Sequence, residues 1–228
     1  MAHYLYLILN VLSFSIPFAY SFERKRMHFI QYWKSYFTAI ALVGLVFILW
    51  DIYFTYIGVW GFNDDYLVGW RILKLPIEEW MFFFLIPYAS NFIHYALLYF
   101  FPKPALKDKT AHRLATLLFI VTVAIAIGNY DKAYTLASFG LFALLMLIQL
   151  KFKFKVFNRY VLSFVVILIP FIIVNSWLTG SFTSEPVVWY HNAENLGIRV
   201  GTIPIEDFFY CFTMLYPTVL IFDKLKIK

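Results

Sequence analysis

Residues 69–83 read GWRILKLPIEEWMFF, and residues 197–211 read GIRVGTIPIEDFFYC. Aligned on Pro76 and Pro204 they match without a gap. Gly69 pairs with Gly197, Arg71 with Arg199, Ile77 with Ile205, Glu78 with Glu206, and Glu79 with Asp207. A phrase that returns after about 128 residues in a chain of 228 is an internal repeat, and a repeat constrains architecture more than any single segment does. Both phrases predict a helix start. Proline is tolerated in the first turn because its missing N–H would have no intrahelical partner there. Acids two and three residues later meet free backbone N–H groups and the positive end of the helix.

The segment after each phrase is apolar, as is most of the chain. Hydrophobic residues make up 62% of the sequence and charged residues 14%, against about 45–50% apolar content in a soluble domain. Lipid is therefore the expected solvent. Seven segments approach the ~20 residues a bilayer needs: roughly 3–21, 35–57, 76–101, 112–127, 132–150, 159–178 and 204–222. The fourth is the shortest. No cleavable signal peptide is evident, since MAHYLYLILN has no basic start, and the first segment is expected to remain as a span. A single cysteine, Cys211, excludes an intramolecular disulfide.

The net charge of +6 raises nucleic acid as a partner, but its distribution points elsewhere. With seven alternating spans, one side collects Arg24, Lys25, Arg26 and Lys34; Lys103, Lys107, Lys109 and Arg113; Lys151, Lys153, Lys155 and Arg159; and Lys224, Lys226 and Lys228. That side is the cytoplasmic one by the positive-inside bias, and no nucleic acid is expected. The N-terminus and both Pro-Ile-Glu loops, about 58–75 and 179–203, then face outward. The C-terminus is cytoplasmic, in a membrane that would be the inner one of a bacterial host. The outward loops carry Trp60, Trp70, Trp189 and Tyr190, residue types that favour a membrane interface.

The repeat phrases head the third and seventh spans, four apart, so the two copies have the same orientation. The expected fold is an all-α membrane protein of seven transmembrane helices. Two parallel three-helix units, residues 1–101 and 131–228, are joined by a connector, 102–130, that holds the fourth span. Parallel repeats place sites at the repeat interface. Upstream, Asp51 and Asn175 pair loosely, with a gap of several residues. Pro87 and Pro217 are expected to interrupt the helices that contain them.

Glu78, Glu79, Glu206 and Asp207 are the candidate catalytic residues. First-turn acids are often no more than caps, but these recur at matched positions, and ionisable groups at the edge of lipid are costly and usually functional. A helix end favours a carboxylate, apolar neighbours such as Trp80, Phe82 and Phe83 favour the neutral acid, and adjacent acids spread their titrations. One neutral acid beside one charged one is what an acid/base site needs. Arg71 and Arg199 are candidates for ion-pair support of the acids or for lipid headgroups. Asp51 is a candidate buried proton donor or arginine partner. His94, one turn from Asn91, suits a helix–helix hydrogen bond better than catalysis.

The doubled Pro-x-Glu-Glu/Asp phrase, set in a doubled three-span unit, resembles the heterodimer-type lycopene cyclase domain family, in a form with both halves fused. The resemblance covers nearly the whole chain. It implies a carotenoid cyclase that turns the linear ψ-end of lycopene into a β-ionone ring with no net redox change. It also implies that Glu78, Glu79, Glu206 and Asp207 are the functional acids, with Asp207 a departure from glutamate. Protonating a terminal alkene, closing the ring on the cation and removing a ring proton requires an acid, a base, a dry pocket and aromatic faces. No G-x-G-x-x-G fingerprint is present, so no flavin site is expected; no metal is expected either. The expected partners are lycopene or a related carotenoid and membrane lipid, with a homo-oligomer left open. A retinal protein would need a lysine in mid-span, and the last span has none before Lys224. A transporter would need a polar path across the membrane, and polar residues suited to one are scarce. A related end-group enzyme, such as a hydratase, differs only in how the cation is quenched.

Overall fold

The structure is a computed structural model that describes residues 2–226. Lys228, one of the charges expected on the cytoplasmic side, lies outside the described residues. Seven helices among them are long and apolar enough to cross a membrane. They are α1 (Leu5–Ser21), α2 (Trp33–Ile57), α3 (Ile77–Phe100), α4 (Asp108–Gly128), α5 (Ala133–Phe152), α6 (Phe157–Leu178) and α7 (Ile205–Leu225). The fourth segment, short by sequence, is a full helix, because Asp108 starts it earlier and Gly128 ends it later than its apolar stretch.

Six short strands lie at one end of the bundle: β1 (Trp60–Phe62), β2 (Arg71–Ile72), β3 (Leu75–Pro76), β4 (Val188–Tyr190), β5 (Arg199–Val200) and β6 (Ile203–Pro204). β2 pairs with β3, and β5 with β6, as antiparallel hairpins that end in the proline of each repeat phrase. The sequence suggests only plain loops here. The hairpin forms because Leu73 and Lys74 turn through positive φ and the arginine closes the turn.

The repeat is visible in the register. β1 and β4, β2 and β5, β3 and β6, α3 and α7, and even the first residues of α1 and α5 stand 128 positions apart. β1 pairs with β4 antiparallel, with Gly61 opposite Trp189. These two residues are themselves 128 apart, so the pseudo-twofold axis passes between them. A Cβ on Gly61 would lie 2.3 Å from the Trp189 ring, so only glycine leaves room for the indole at the axis.

Below the strands, α3 and α7 meet at the axis. Each middle helix crosses over to pack on the opposite repeat, α2 on α7 and α6 on α3, while α4 lies against α5. The core is rich in packed tyrosine and phenylalanine rings: Tyr36 meets Tyr88 edge to face at 5.2 Å, and Tyr160 meets Tyr216 tilted by 34° at 5.1 Å. Neither Pro87 nor Pro217 ends its helix, contrary to expectation. A proline inside a helix removes only the N–H that would bond the carbonyl four residues earlier, and Tyr36 Oη donates to the Pro87 carbonyl at 3.0 Å, tying α2 to α3 at this point.

Candidate active site

The first turns of α3 and α7 each carry two buried acids with different surroundings. Glu78 and Glu206 have no exposed surface, whereas Glu79 and Asp207 keep 8% and 5%. Glu78 turns back to its own loop, where its Oε1 accepts from the Val68 N–H at 2.7 Å. Glu206 does the same with the Leu196 N–H at 2.8 Å, and its Oε1 also takes the Thr135 hydroxyl at 2.7 Å. Their backbone carbonyls accept from Asn10 and Ser138, which ties α1 to α3 and α5 to α7. An unpaired buried N–H costs about 1–3 kcal/mol, so these two glutamates hold the outer loops onto the helix ends.

Glu79 and Asp207 point the other way and line one cavity of about 590 Å³. Glu78 and Glu206 are not among its lining residues. Tyr6 Oη donates to Glu79 Oε2 at 2.5 Å, and its counterpart Tyr134 donates to Asp207 Oδ1 at 2.5 Å. Asp207 has a second phenol on its other oxygen, Tyr190 Oη at 3.0 Å. Tyr190 lies outside the spans. Burial, and next the Asp207 charge, hold its phenol well above the usual range, so it stays a donor at any ordinary pH.

Asp51 lines the same cavity. Its Oδ1 accepts from Trp60 Nε1 at 2.5 Å and from Thr55 Oγ1 at 3.3 Å, while its Oδ2 is buried with no partner among the described residues. The Glu79 carboxyl lines the same cavity. Asn175 also borders the cavity and donates to the Phe171 carbonyl at 3.2 Å. The tyrosine pairs of the core relate α2 to α6 by 124 positions, Tyr36 to Tyr160, which places Asp51 opposite Asn175. The remaining wall is largely apolar, part aliphatic and part aromatic, with Trp60, Phe62, Phe82, Phe171 and Tyr210 among its aromatic members.

The other candidates stand apart from the cavity. Arg71 pairs with Asp64 at 2.6 Å and donates to the Lys74 carbonyl. Arg199 donates to the Thr202 carbonyl and to Asn192 Oδ1. Both close their hairpins and reach none of the four acids, because the tight turn brings its own carbonyl within range first. Trp80 Nε1 donates to the Ile72 carbonyl at 3.2 Å, pinning the same hairpin. His94 Nδ1 meets Ser163 Oγ at 2.8 Å, a bond between α3 and α6 deep in the bundle.

An acid pair set in a mainly apolar cavity at the interface of two repeats can move protons on an apolar substrate. The sequence profile described as Lycopene cyclase matches residues 3–98 and again residues 131–225. The chain belongs to the lycopene cyclase family. It is an integral membrane protein of carotenoid biosynthesis, a fused two-repeat member whose enzyme class acts on carotenoids. Comparison with curated proteins and with solved structures returned no match. The two matched stretches begin 128 positions apart, the same shift as the hydrogen-bonded elements of the cyclase fold.

Sequence reasoning does not single out Tyr6, Tyr134 or Tyr210, and it places Trp60 and Tyr190 at the membrane interface. Trp60 is instead buried and bonded to Asp51. Tyr6 and Tyr134 are separated by the repeat distance, which is the available signal. Around them the two copies share too few identities for that tyrosine to stand out.

Proposed function

We propose that this protein is a lycopene β-cyclase, an intramolecular lyase of isomerase type, in which Glu79 and Asp207 are the acid and the base. The observation that carries this reading is that these two acids, and not their neighbours Glu78 and Glu206, share one apolar cavity. The hydrogen bonds divide the roles. Two phenol donors on Asp207 favour its ionised form. Glu79 has one phenol donor and faces Asp51, whose free Oδ2 suits a proton donated by Glu79. Two buried carboxyls that share one cavity resist ionising together, because like charges repel strongly there.

In this mechanism Glu79 gives its proton to the terminal alkene of a ψ-end. The tertiary cation is attacked by the neighbouring double bond, and the ring closes. Asp207 removes a ring proton, so the substrate gains one proton, loses one, and keeps its formula. The aromatic wall attracts the cation by its ring faces, and an apolar cavity keeps water from quenching it. The acids are then restored by proton transfer between the two sides of the site. The chain is arranged as repeats 1–101 and 131–228 around the connector 102–130. The hairpin end faces outward, and the basic end faces the cytoplasm of a bacterial inner membrane, as the positive-inside bias implies.

Expression in cells that accumulate lycopene, with chromatography of the pigments, tests the assignment. Cyclic carotenes bearing β-rings are expected. Unchanged lycopene beside correctly inserted protein would overturn it, and a hydroxylated acyclic product would mean that water, not Asp207, ends the reaction.

A further inference from the structure

A twofold arrangement of helices would build two equivalent arms leading away from the acids, one between α1, α3 and α6 and one between α5, α7 and α2. Only the first is open. The cavity continues from Glu79 along α3, past Ile86, Ser90, Ile93 and Leu97 to Phe100, and meets Tyr20 near the end of α1. At about 1.5 Å per residue, Glu79 to Phe100 covers about 32 Å, close to the ~30 Å hydrocarbon thickness of a bilayer.

The second arm is filled with aromatic rings. Trp50 lies 5.0 Å and Phe47 4.9 Å from the Tyr210 ring. By the shift of 124 between α2 and α6, Trp50 stands where the first arm has only Val174, which lines the open cavity. Neither Trp50 nor Phe47 borders the cavity. From α2 and α5, two of the helices that would wall this second arm, only Asp51 and Tyr134 reach it, both at the acid end.

We infer that a linear carotenoid stands along the bilayer normal in this single arm, with one ψ-end at Glu79 and Asp207 and the other near Tyr20 and Phe100, so that one end group is converted per binding event. This rests on the cyclase reading. A rod-like polyene whose length matches the arm cannot present both ends to one acid pair, so a second ring requires release, reversal and rebinding. At the far mouth Arg26 Nη1 donates to Tyr20 Oη at 3.0 Å, and its guanidinium sits 5.7 Å from the Phe100 ring centre. The end of the arm distant from the chemistry is thereby bounded by a polar pair.

Lycopene bound to Glu79→Gln protein in oriented bilayers tests the pose by linear dichroism of its visible band. The transition moment lies along the polyene and is expected near the membrane normal, with the signal lost in Glu79→Gln/Ala96→Trp, whose indole would fill the arm. An in-plane moment overturns the inference. In the wild-type background, Ala96→Trp is expected to cut lycopene conversion at least tenfold with thermal melting in detergent unchanged. Unchanged conversion overturns the inference. A time course should show free monocyclic product before any bicyclic one. Bicyclic product from the earliest time, with no free monocyclic pool, overturns it. The two readings fail separately: a wild-type protein that aligns lycopene along the normal but forms no ring breaks the cyclase reading, and one that forms rings on a polyene lying in plane breaks the arm.

Discussion

The two repeats share a frame and differ at the site. Glu78 and Glu206 make the same bond to the same loop N–H, Arg71 and Arg199 close the same turn, and Asn10 and Ser138 reach the same carbonyl. The groups that touch the cavity are not matched in this way. Asp207 has Tyr134 and Tyr190, whereas Glu79 has Tyr6 and, opposite Tyr190 in the symmetry, Phe62. Asp51 has Asn175 as its symmetry counterpart, and Trp50 has Val174. Symmetry preserved in the frame keeps two acids in register. Symmetry lost around them gives the two carboxyls different hydrogen-bond surroundings, and the proposed acid/base pair needs such a difference. A perfectly symmetric site would hold two equal acids and two competing arms.

Removing either side of the acid pair is the strongest way to break this comparison. Glu79→Gln and Asp207→Asn should each lower ring formation by about 10²–10⁴, the usual worth of a positioned proton-transfer group. The protein should still insert, which membrane-fraction quantification checks. Full activity in both variants would return these acids to a capping role.

Exchanging the second phenol should produce the next largest effect. Tyr190→Phe leaves Asp207 with one donor, as Glu79 has. A hydrogen bond to a charged group is worth about 1.5–3 kcal/mol, or roughly ten- to a hundredfold in rate. Conversion per folded molecule should fall by that factor, while Tyr6→Phe at the protonated partner should cost less. Phe62→Tyr makes the converse change and should also lower the rate, by favouring the ionised form of the residue that must donate. Equal losses at Tyr190 and Tyr6 would show that the two acids are not differentiated.

Gly61→Ala strikes at the axis rather than at the chemistry. The new methyl would meet the Trp189 ring at 2.3 Å, and overpacking of this kind costs about 1–3 kcal/mol. Thermal melting should drop, with activity per folded molecule falling less than in the phenol variants.

Most of the frame was legible in the sequence because it is written as local chemistry. Seven apolar stretches, the charge bias between them and the doubled GxR…PIE phrase are each readable without contacts. The site was legible only in part. The phrase located Glu79 and Asp207 but could not separate them from Glu78 and Glu206. One residue along a helix rotates a side chain by about 100°, and which neighbour then faces the cavity is decided by the helices packed around it. Asp51 pairs with Asn175 only after a four-residue shift, and the packing of Tyr36 and Tyr160 reveals that shift where the residues themselves do not. Trp60 looked like an interface anchor because its loop is extramembrane. The pairing of β1 with β4 carries it inward, and strand pairing across 128 residues leaves no local mark.

Glu78→Gln and Glu206→Gln should have the smallest effect, and they test the division between frame and site most sharply. Glutamine keeps the acceptor that Val68 or Leu196 needs, so the loop stays on its helix. Its amide nitrogen falls where Glu78 Oε2 or Glu206 Oε2 has no partner among the described residues, and leaving that donor unpaired should lower stability by about 1 kcal/mol, at the low end of such penalties. Conversion per folded molecule should stay within about 1 kcal/mol of wild type in barrier, a factor of about five. A loss as large as that of Glu79→Gln would place all four acids in the chemistry, and the shared cavity would no longer separate the acids that react from those that support. A small loss would mean that the repeat phrase carries two functions in adjacent letters, the first acid building the helix start and the second using it.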